Sequence, residues 1–147
     1  MVSTNGTNGT NGTNGHASAF TNPKGRVGFD MSGITPAPVT PFNEDMSVDY
    51  DAIQRIGSWL VTVEGVKGLV VLGHAGEGTF LTEEEQVKVI EAFVKSVDNK
   101  IPIIAGITRE GDYVAGLEAK RAKEAGASAG LLYPSYVATD LLALGPC

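Results

Sequence analysis

The stretch from Gly73 to Gly78 (Gly-His-Ala-Gly-Glu-Gly) combines bare backbone with one imidazole and one carboxylate. Its glycines follow the spacing G-x-x-G-x-G, which differs from the G-x-G-x-x-G of dinucleotide-binding loops, and no Walker lysine accompanies them. A tight turn of this kind can direct backbone N–H groups at a small anion such as a carboxylate. The alternative is a plain glycine-rich connection between a strand and a helix. The candidate binding residues here are Gly73, His74, Ala75, Gly76 and Glu77.

His74 carries the one imidazole of this loop, a group whose ordinary pKa suits it to be an acid, base or ligand; the alternative is a hydrogen-bonded loop residue. The only other histidine is His16, far away near the amino terminus, and no cysteine lies nearby. We therefore predict no metal and no cofactor. Glu77 lacks a nearby second carboxylate or nucleophile, so we expect it to accept backbone N–H bonds and orient the loop.

Two tyrosines and the lysines complete the chemical inventory. Tyr136 can relay protons at the end of a strand, whereas we expect Tyr133 to pack in the sheet. Amine chemistry requires a lysine at the carboxyl end of a strand. None is placed there: Lys67 and Lys100 come at or before the start of a strand, and Lys24 lies in the amino-terminal tail. The others lie on predicted helices: Lys88, Lys95, Lys120 and Lys123.

Length and composition limit the classes of protein that this sequence can form. The 147 residues suit one domain, and the apolar content of 42% is that of a globular protein. A net charge of −6, from 11 basic and 17 acidic residues, argues against nucleic acid or an anionic membrane as the partner. The single cysteine, Cys147, excludes an internal disulfide, and no apolar run is long enough to span a bilayer. We expect a cytoplasmic protein.

The amino-terminal stretch has a different composition from the rest of the chain. From Thr4 to Gly15 the tripeptide Thr-Asn-Gly is repeated four times, with no apolar face to bury. We predict that residues 1–32 are a disordered tail and lead-in, without the basic and apolar regions of a secretory signal.

The elements that must position the loop alternate regularly from Gly33 onward. Strands are predicted at Ile34–Val39, Val66–Leu72, Ile101–Ala105 (closed by Gly106) and Ala129–Leu132. The first helix is predicted to start at Ser47 or Asp49, to bury Ile53, Ile56, Leu60 and Val63, and to stop at Gly65. The second opens with a capping box of Thr82 and Glu85 and buries Val87, Ile90, Phe93, Val94 and Val97. The third is capped by Asp112, buries Val114, Leu117 and several alanines, and ends at Ala125 before Gly126.

This βαβαβαβ order predicts an α/β fold with a parallel sheet. An open doubly wound sheet and part of a (β/α)8 barrel both satisfy the pattern, and spacing alone does not choose between them. Pro36 and Pro38 fit the first strand poorly, because each removes a ladder donor. In either architecture the catalytic and binding residues lie at the carboxyl ends of the strands. Those ends are Thr40–Phe42, Gly73–Gly78, Gly106–Arg109 and Tyr133–Tyr136.

An ordered set of short motifs carries a family resemblance. The motifs are Thr40-Pro41-Phe42, Val48-Asp49-Tyr50, Leu69-Val70-Val71-Leu72-Gly73, Gly76-Glu77, Leu81-Thr82-Glu83-Glu84-Glu85 and Ile103-Ile104-Ala105-Gly106. With them, Gly33 to Tyr136 resembles the N-terminal half of the dihydrodipicolinate synthase / N-acetylneuraminate lyase family of pyruvate-dependent aldolases. The resemblance implies a (β/α)8 barrel, commonly a homotetramer, which binds pyruvate or another 2-oxo acid as a Schiff base on a lysine.

The resemblance also implies roles for particular residues. The family loop after the second strand holds the substrate carboxylate through backbone N–H groups and two hydroxyl residues, and those positions are His74 and Ala75 here. Ala75 has no hydroxyl, so His74 would have to contribute instead. Tyr136 matches the tyrosine of the family's proton relay, while Ser135 replaces its neighbour. Thr40 is placed in the substrate-binding set because it follows the first strand.

The resemblance divides the chain into three parts: the tail at 1–32, the first half of an aldolase-type barrel at 33–138, and an end at 139–147 unlike the family. The family's Schiff-base lysine corresponds to a position beyond Cys147. We therefore expect a barrel truncated to about four strands and three helices, inactive by itself as a lyase.

Three hypotheses follow. The chain is a truncated form of a lyase that makes or breaks a carbon–carbon bond between a 2-oxo acid and an aldehyde, and would be a homo-oligomer once completed. Alternatively it is a non-catalytic half-barrel that pairs with another chain, or a small flavodoxin-like module that binds an anion. We favour the first.

Overall fold

The computed structural model describes residues 32–133 and, as backbone only, Phe20–Thr21 and Val27–Gly28. The chain divides into two units, Met1–Asp30 and Met31–Cys147. In the first unit, β1 (Phe20–Thr21) pairs antiparallel with β2 (Val27–Gly28), with Phe20 opposite Gly28. Most of the tail predicted to be disordered, and all of the end at 139–147, lie outside the described residues.

The second unit is built on a parallel sheet. It contains β3 (Leu69–Val71), β4 (Ile103–Ile107) and β5 (Ala129–Leu132) in that order. Val71 lies beside Ala105, and Ala105 lies beside Gly130, so these residues share one face of the sheet. The prediction of a parallel α/β sheet is confirmed.

The strand predicted at Ile34–Val39 is wrong. Ile34 forms a single parallel bridge with Val66, and the segment after it is not a strand. Pro36 and Pro38 have no N–H to donate, which prevents a continuous ladder. The segment still runs beside β3, because the Val70 N–H donates to the Pro36 carbonyl at 3.0 Å.

The first helix, α1 (Tyr50–Leu60), begins where the sequence predicts and ends earlier. Asp49 is its N-cap and accepts a bond of 2.8 Å from the Ala52 N–H, so the structure selects Asp49 over Ser47. The helix stops well before Gly65, and Val63 is exposed beyond its end. The prediction that Val63 belongs to the buried stripe is therefore wrong.

The second helix, α2 (Glu83–Val97), has the capping box that the sequence predicts. The Thr82 hydroxyl accepts from the Glu85 N–H, and the Glu85 carboxylate accepts from the Thr82 N–H at 2.8 Å. The Glu85 carboxylate also accepts from the Thr82 hydroxyl at 2.8 Å, and the two bonds that it accepts, from the Thr82 N–H and from this hydroxyl, lower the pKa of Glu85. The inner face of α2 is rotated slightly from the predicted one. Val87 and Val94, predicted to be buried, are half-buried. The buried residues of the helix are Gln86, Val89, Ile90, Ala92, Phe93 and Val97.

The third helix, α3 (Asp112–Glu124), departs most from prediction. Gly111 is the N-cap and Asp112 the first helical residue. Val114 and Leu117, predicted to face inward, are exposed, whereas Glu118 and Ala122 are buried. Gly126 follows the helix in a left-handed conformation, as predicted.

The hydrophobic core lies between the sheet and the helices. Its most deeply buried side chains are Phe93, Ile53, Leu69, Ile103, Val71, Val89 and Val97. Strand β4 is buried along its whole length and continues through Gly106 to Ile107, so Gly106 does not close it as predicted. In the described part of the chain, no helix is long and apolar enough to cross a membrane.

Candidate functional site

The loop after β3 is shaped by two residues with left-handed backbone. Leu72 has φ 58° and Glu77 has φ 54°, a region that non-glycine residues rarely occupy. Leu72 is nevertheless buried, so packing holds its backbone in this strained conformation. The chain then turns through residues 73–77 into a 3-10 turn, Gly78–Phe80, that leads to α2.

Two glycines make room for this turn. A Cβ on Gly78, or on Gly106 of the neighbouring strand β4, would overlap the carbonyl oxygen of Leu72. Backbone atoms cannot move aside as a flexible side chain can. The close approach of β4, the loop and the 3-10 turn therefore requires glycine at both positions.

Thr40 ties the loop to the segment that runs beside β3. Its buried hydroxyl donates to the Gly76 carbonyl at 2.6 Å. This bond uses the one hydroxyl proton, so Thr40 fixes the loop and does not offer a donor to a ligand. At the other end of the loop, the Gln86 amide of α2 donates to the Gly78 carbonyl at 2.7 Å.

The fixed loop contains backbone N–H groups that no described residue accepts from. The Glu77 N–H donates to the His74 carbonyl at 3.1 Å, which closes the turn. Within residues 32–133, no protein acceptor takes a hydrogen bond from the N–H groups of Ala75 or Gly76. The Glu77 side chain is exposed and caps no N–H of the 3-10 turn, contrary to its predicted role. Gly73 and Gly76 are buried, and His74 and Ala75 are exposed.

Tyr133 reaches this loop from β5. Its N–H donates to the Ile107 carbonyl at 3.1 Å, which continues the strand pairing as predicted. Its ring, however, meets the His74 ring edge-on, with centroids 4.6 Å apart and an angle of 78° between the planes. Sequence reasoning missed this contact, because β4 lies between β3 and β5, the two strands after which these residues come.

A charged cluster fixes the carboxyl end of β4. The carboxylate of Glu118, with a side chain only 8% exposed, accepts from the Thr108 N–H at 3.1 Å and lies 3.5 Å from Arg109 Nε. Arg121 of α3 pairs with Glu83 of α2 at 2.9 Å. Sequence reasoning missed Glu118 because a carboxylate is unexpected on the inner face of a helix.

The other predictions about the site concern Tyr136, the lysines and metal binding. Tyr136 lies outside the described residues. The described lysines lie on helices or near the amino ends of strands, as predicted, so none of them is at the carboxyl end of the sheet. Among the described residues, no three histidine, cysteine, aspartate or glutamate side chains form a group that could hold a metal ion.

Parallel strands joined by helices, with a shaped loop at the carboxyl end of β3, are the parts from which (β/α)8-barrel enzymes are built. Comparison with known proteins makes this specific. Residues 30–140 match the Dihydrodipicolinate synthetase family. The chain belongs to this family, and its fold is that of the first part of the barrel.

Individual relatives agree. The chain is 38% identical over 106 residues to a 4-hydroxy-tetrahydrodipicolinate synthase of Bartonella bacilliformis, covering 72% of this chain. A dihydrodipicolinate synthase from Acinetobacter baumannii, solved in complex with pyruvate, superposes with a TM-score of 0.69 at 33% identity over 74% of this chain. A family protein from Coccidioides immitis superposes with a TM-score of 0.67 at 31% identity over 71% of this chain.

The match covers much less of the relatives than of this chain. It spans 36% of the Bartonella protein, 37% of the Acinetobacter chain and 35% of the Coccidioides chain. The chain therefore corresponds to about a third of the length of the proteins that it resembles.

Proposed function

We propose that residues 33–138 supply the carboxylate-binding part of a lyase site. In the complete site, a carbon–carbon bond between a 2-oxo acid, such as pyruvate, and an aldehyde is made or broken through a Schiff base. Family membership and the pyruvate complex of the Acinetobacter relative support this assignment. Tyr136 is proposed as the proton relay, and no cofactor is required.

The loop after β3 is the observation that carries the proposal. It presents the N–H groups of Ala75 and Gly76 without a protein acceptor within residues 32–133. Contacts of Leu72 with Gly78 and Gly106, and the bond from Thr40, hold the loop in place before any ligand arrives. Donors fixed in advance bind an anion without a further ordering cost, which favours a small carboxylate.

The Schiff-base step needs an amine that the described residues do not place at the site. In that step a lysine nitrogen attacks the 2-oxo carbon, a carbon–nitrogen double bond forms and water leaves. Because no described lysine lies at the carboxyl ends of the strands, we propose that the 147-residue chain forms no Schiff base by itself.

The side of the sheet opposite β3 favours a second candidate, pairing with another chain. A cavity of about 540 Å³ lies between α3 and β5, and Leu132 on its wall is 67% exposed. Burial of this apolar surface would stabilise an assembly. From this surface we propose a homo-oligomer or a paired half-barrel. We also propose that the protein works in the cytoplasm.

Reduction with borohydride tests the lyase assignment, because it converts a Schiff base into a stable amine. The 147-residue chain, incubated with pyruvate and borohydride, should gain no mass. The same chain fused to the remaining segment of the Bartonella synthase should gain one pyruvate adduct. An adduct on the 147-residue chain alone would contradict the proposed absence of a catalytic lysine, and failure of the fusion would contradict the lyase assignment.

A further inference from the structure

We infer that Tyr133 is a substrate-contacting residue whose hydroxyl supplies a third donor to the carboxylate bound by the Ala75–Gly76 loop. The inference rests on the proposed function, since it assumes that the loop binds the carboxylate of a 2-oxo acid. It assigns Tyr133 a binding role in place of simple packing in the sheet.

The position of the hydroxyl is fixed from two sides. The Tyr133 N–H is bonded to Ile107, which anchors the backbone at the carboxyl end of β5. The hydroxyl oxygen then lies over Gly73, 3.1 Å from the point where a Cβ of that residue would stand. Glycine at position 73 thus leaves the space that the phenol occupies.

His74 holds the ring from the other side. The edge-on contact at 4.6 Å is a favourable geometry for two aromatic rings. His74 itself is exposed, so the contact leaves part of its imidazole accessible to a ligand. We therefore treat His74 as a positioning residue for Tyr133.

The chemistry of the loop explains why another donor is needed. A carboxylate offers about four lone-pair positions, and two backbone N–H groups leave some of them unfilled. No residue from Gly73 to Gly78 carries a hydroxyl, and the Thr40 proton is already bonded to Gly76. The Tyr133 hydroxyl lies against Gly73 and its ring lies against His74, so it can supply this further donor.

Calorimetric titration of the 147-residue chain with pyruvate measures the contribution of this hydroxyl. Tyr133→Phe keeps the ring and its contact with His74 and removes only the donor. We expect about a tenfold or greater rise in Kd, the usual effect of losing a hydrogen bond to a charged group. The matched control is Tyr113→Phe on α3, where the tyrosine is 79% exposed and outside the loop, and its Kd should not change.

A second variant tests the geometry by another route. Gly73→Ala places a methyl group 3.1 Å from the Tyr133 hydroxyl, which must shift by a few tenths of an ångström, so pyruvate binding should weaken by a smaller factor. In the Tyr133→Phe background the same substitution should have much less effect, because the hydroxyl that it displaces is already gone.

The outcomes separate the two proposals. If the unmodified chain binds pyruvate and Tyr133→Phe binds equally well, the inference about Tyr133 is wrong and the proposed carboxylate site stands. Fully additive effects of Gly73→Ala and Tyr133→Phe would also overturn it. If the unmodified chain binds no pyruvate, the proposed function fails, and the inference fails with it.

Discussion

The two sides of the parallel sheet differ in how completely they are covered. On the β3 side, Leu69 and Val71 are fully buried under the helices. On the β5 side, Leu131 is 40% exposed and α3 turns alanines and glycine toward an open cavity. The candidate loop follows the well-packed strand β3, so its geometry depends on the core, whereas Leu131 and Leu132 on the β5 side are exposed.

The largest expected effect comes from opening the packed side. Leu69→Ala removes a side chain with no exposed surface and should lower the free energy of unfolding by about 2–5 kcal/mol. Leu132→Ala, the matched change on β5, should cost less than about 0.5 kcal/mol in a monomer. Urea unfolding of both variants measures the difference. Equal losses would show that β5 is covered as thoroughly as β3.

Two glycine substitutions compare the backbone packing of β4 with that of α3. Gly106→Ala forces a methyl group against the Leu72 carbonyl and should destabilise the chain by about 1–3 kcal/mol or more. Gly116→Ala, on α3, meets no atom within 4 Å and should stabilise it by about 0.5–1 kcal/mol. Thermal unfolding measures whether each variant is less or more stable than the unmodified chain. A stable Gly106→Ala variant would mean that the loop is not held against β4.

The carboxyl end of β4 depends on a buried carboxylate. Glu118→Gln keeps the shape but loses the charge that faces Arg109, and should cost about 1–3 kcal/mol. Glu124→Gln, whose partner Lys120 is exposed, should change the unfolding free energy by less than about 0.5 kcal/mol. Denaturant titration measures the unfolding free energy of both variants. Equally small effects would show that the Glu118 carboxylate does not stabilise the carboxyl end of β4.

The smallest effect concerns the start of α2. Thr82→Ala removes half of the capping box and should cost about 1 kcal/mol. The pKa of Glu85 is lowered by its bonds to Thr82, so its stabilisation is present above the ordinary glutamate pKa and is lost as pH falls through the lowered one. In Thr82→Ala this loss of stability in acid should shrink. Unfolding measured across that pH range, with Thr79→Ala as the control, tests it.

Local features of the fold were predictable from sequence because they depend on residues close together in the chain. The capping box of Thr82 and Glu85 and the stop at Gly126 are of this kind. The prediction of a strand at Ile34–Val39 was wrong, although its two prolines already argued against a strand there. The prediction for the inner face of α3 was wrong because Glu118 is buried there, whereas the apolar Val114 and Leu117 are exposed.

The site was predictable only as a location. Glycine spacing marked the loop at Gly73, but the left-handed turn at Leu72 depends on contacts with β4. The contact of His74 with Tyr133 depends on the order of three strands in the sheet, which no local pattern encodes.

A nuclear magnetic resonance titration tests whether the loop after β3 binds a carboxylate. Pyruvate is added to the 15N-labelled 147-residue chain while the backbone amide signals are followed. If the loop binds the carboxylate, we expect the largest shifts at the N–H groups of Ala75 and Gly76, with saturation as pyruvate increases. Shifts confined to other parts of the chain, or no saturable shift at all, would contradict it.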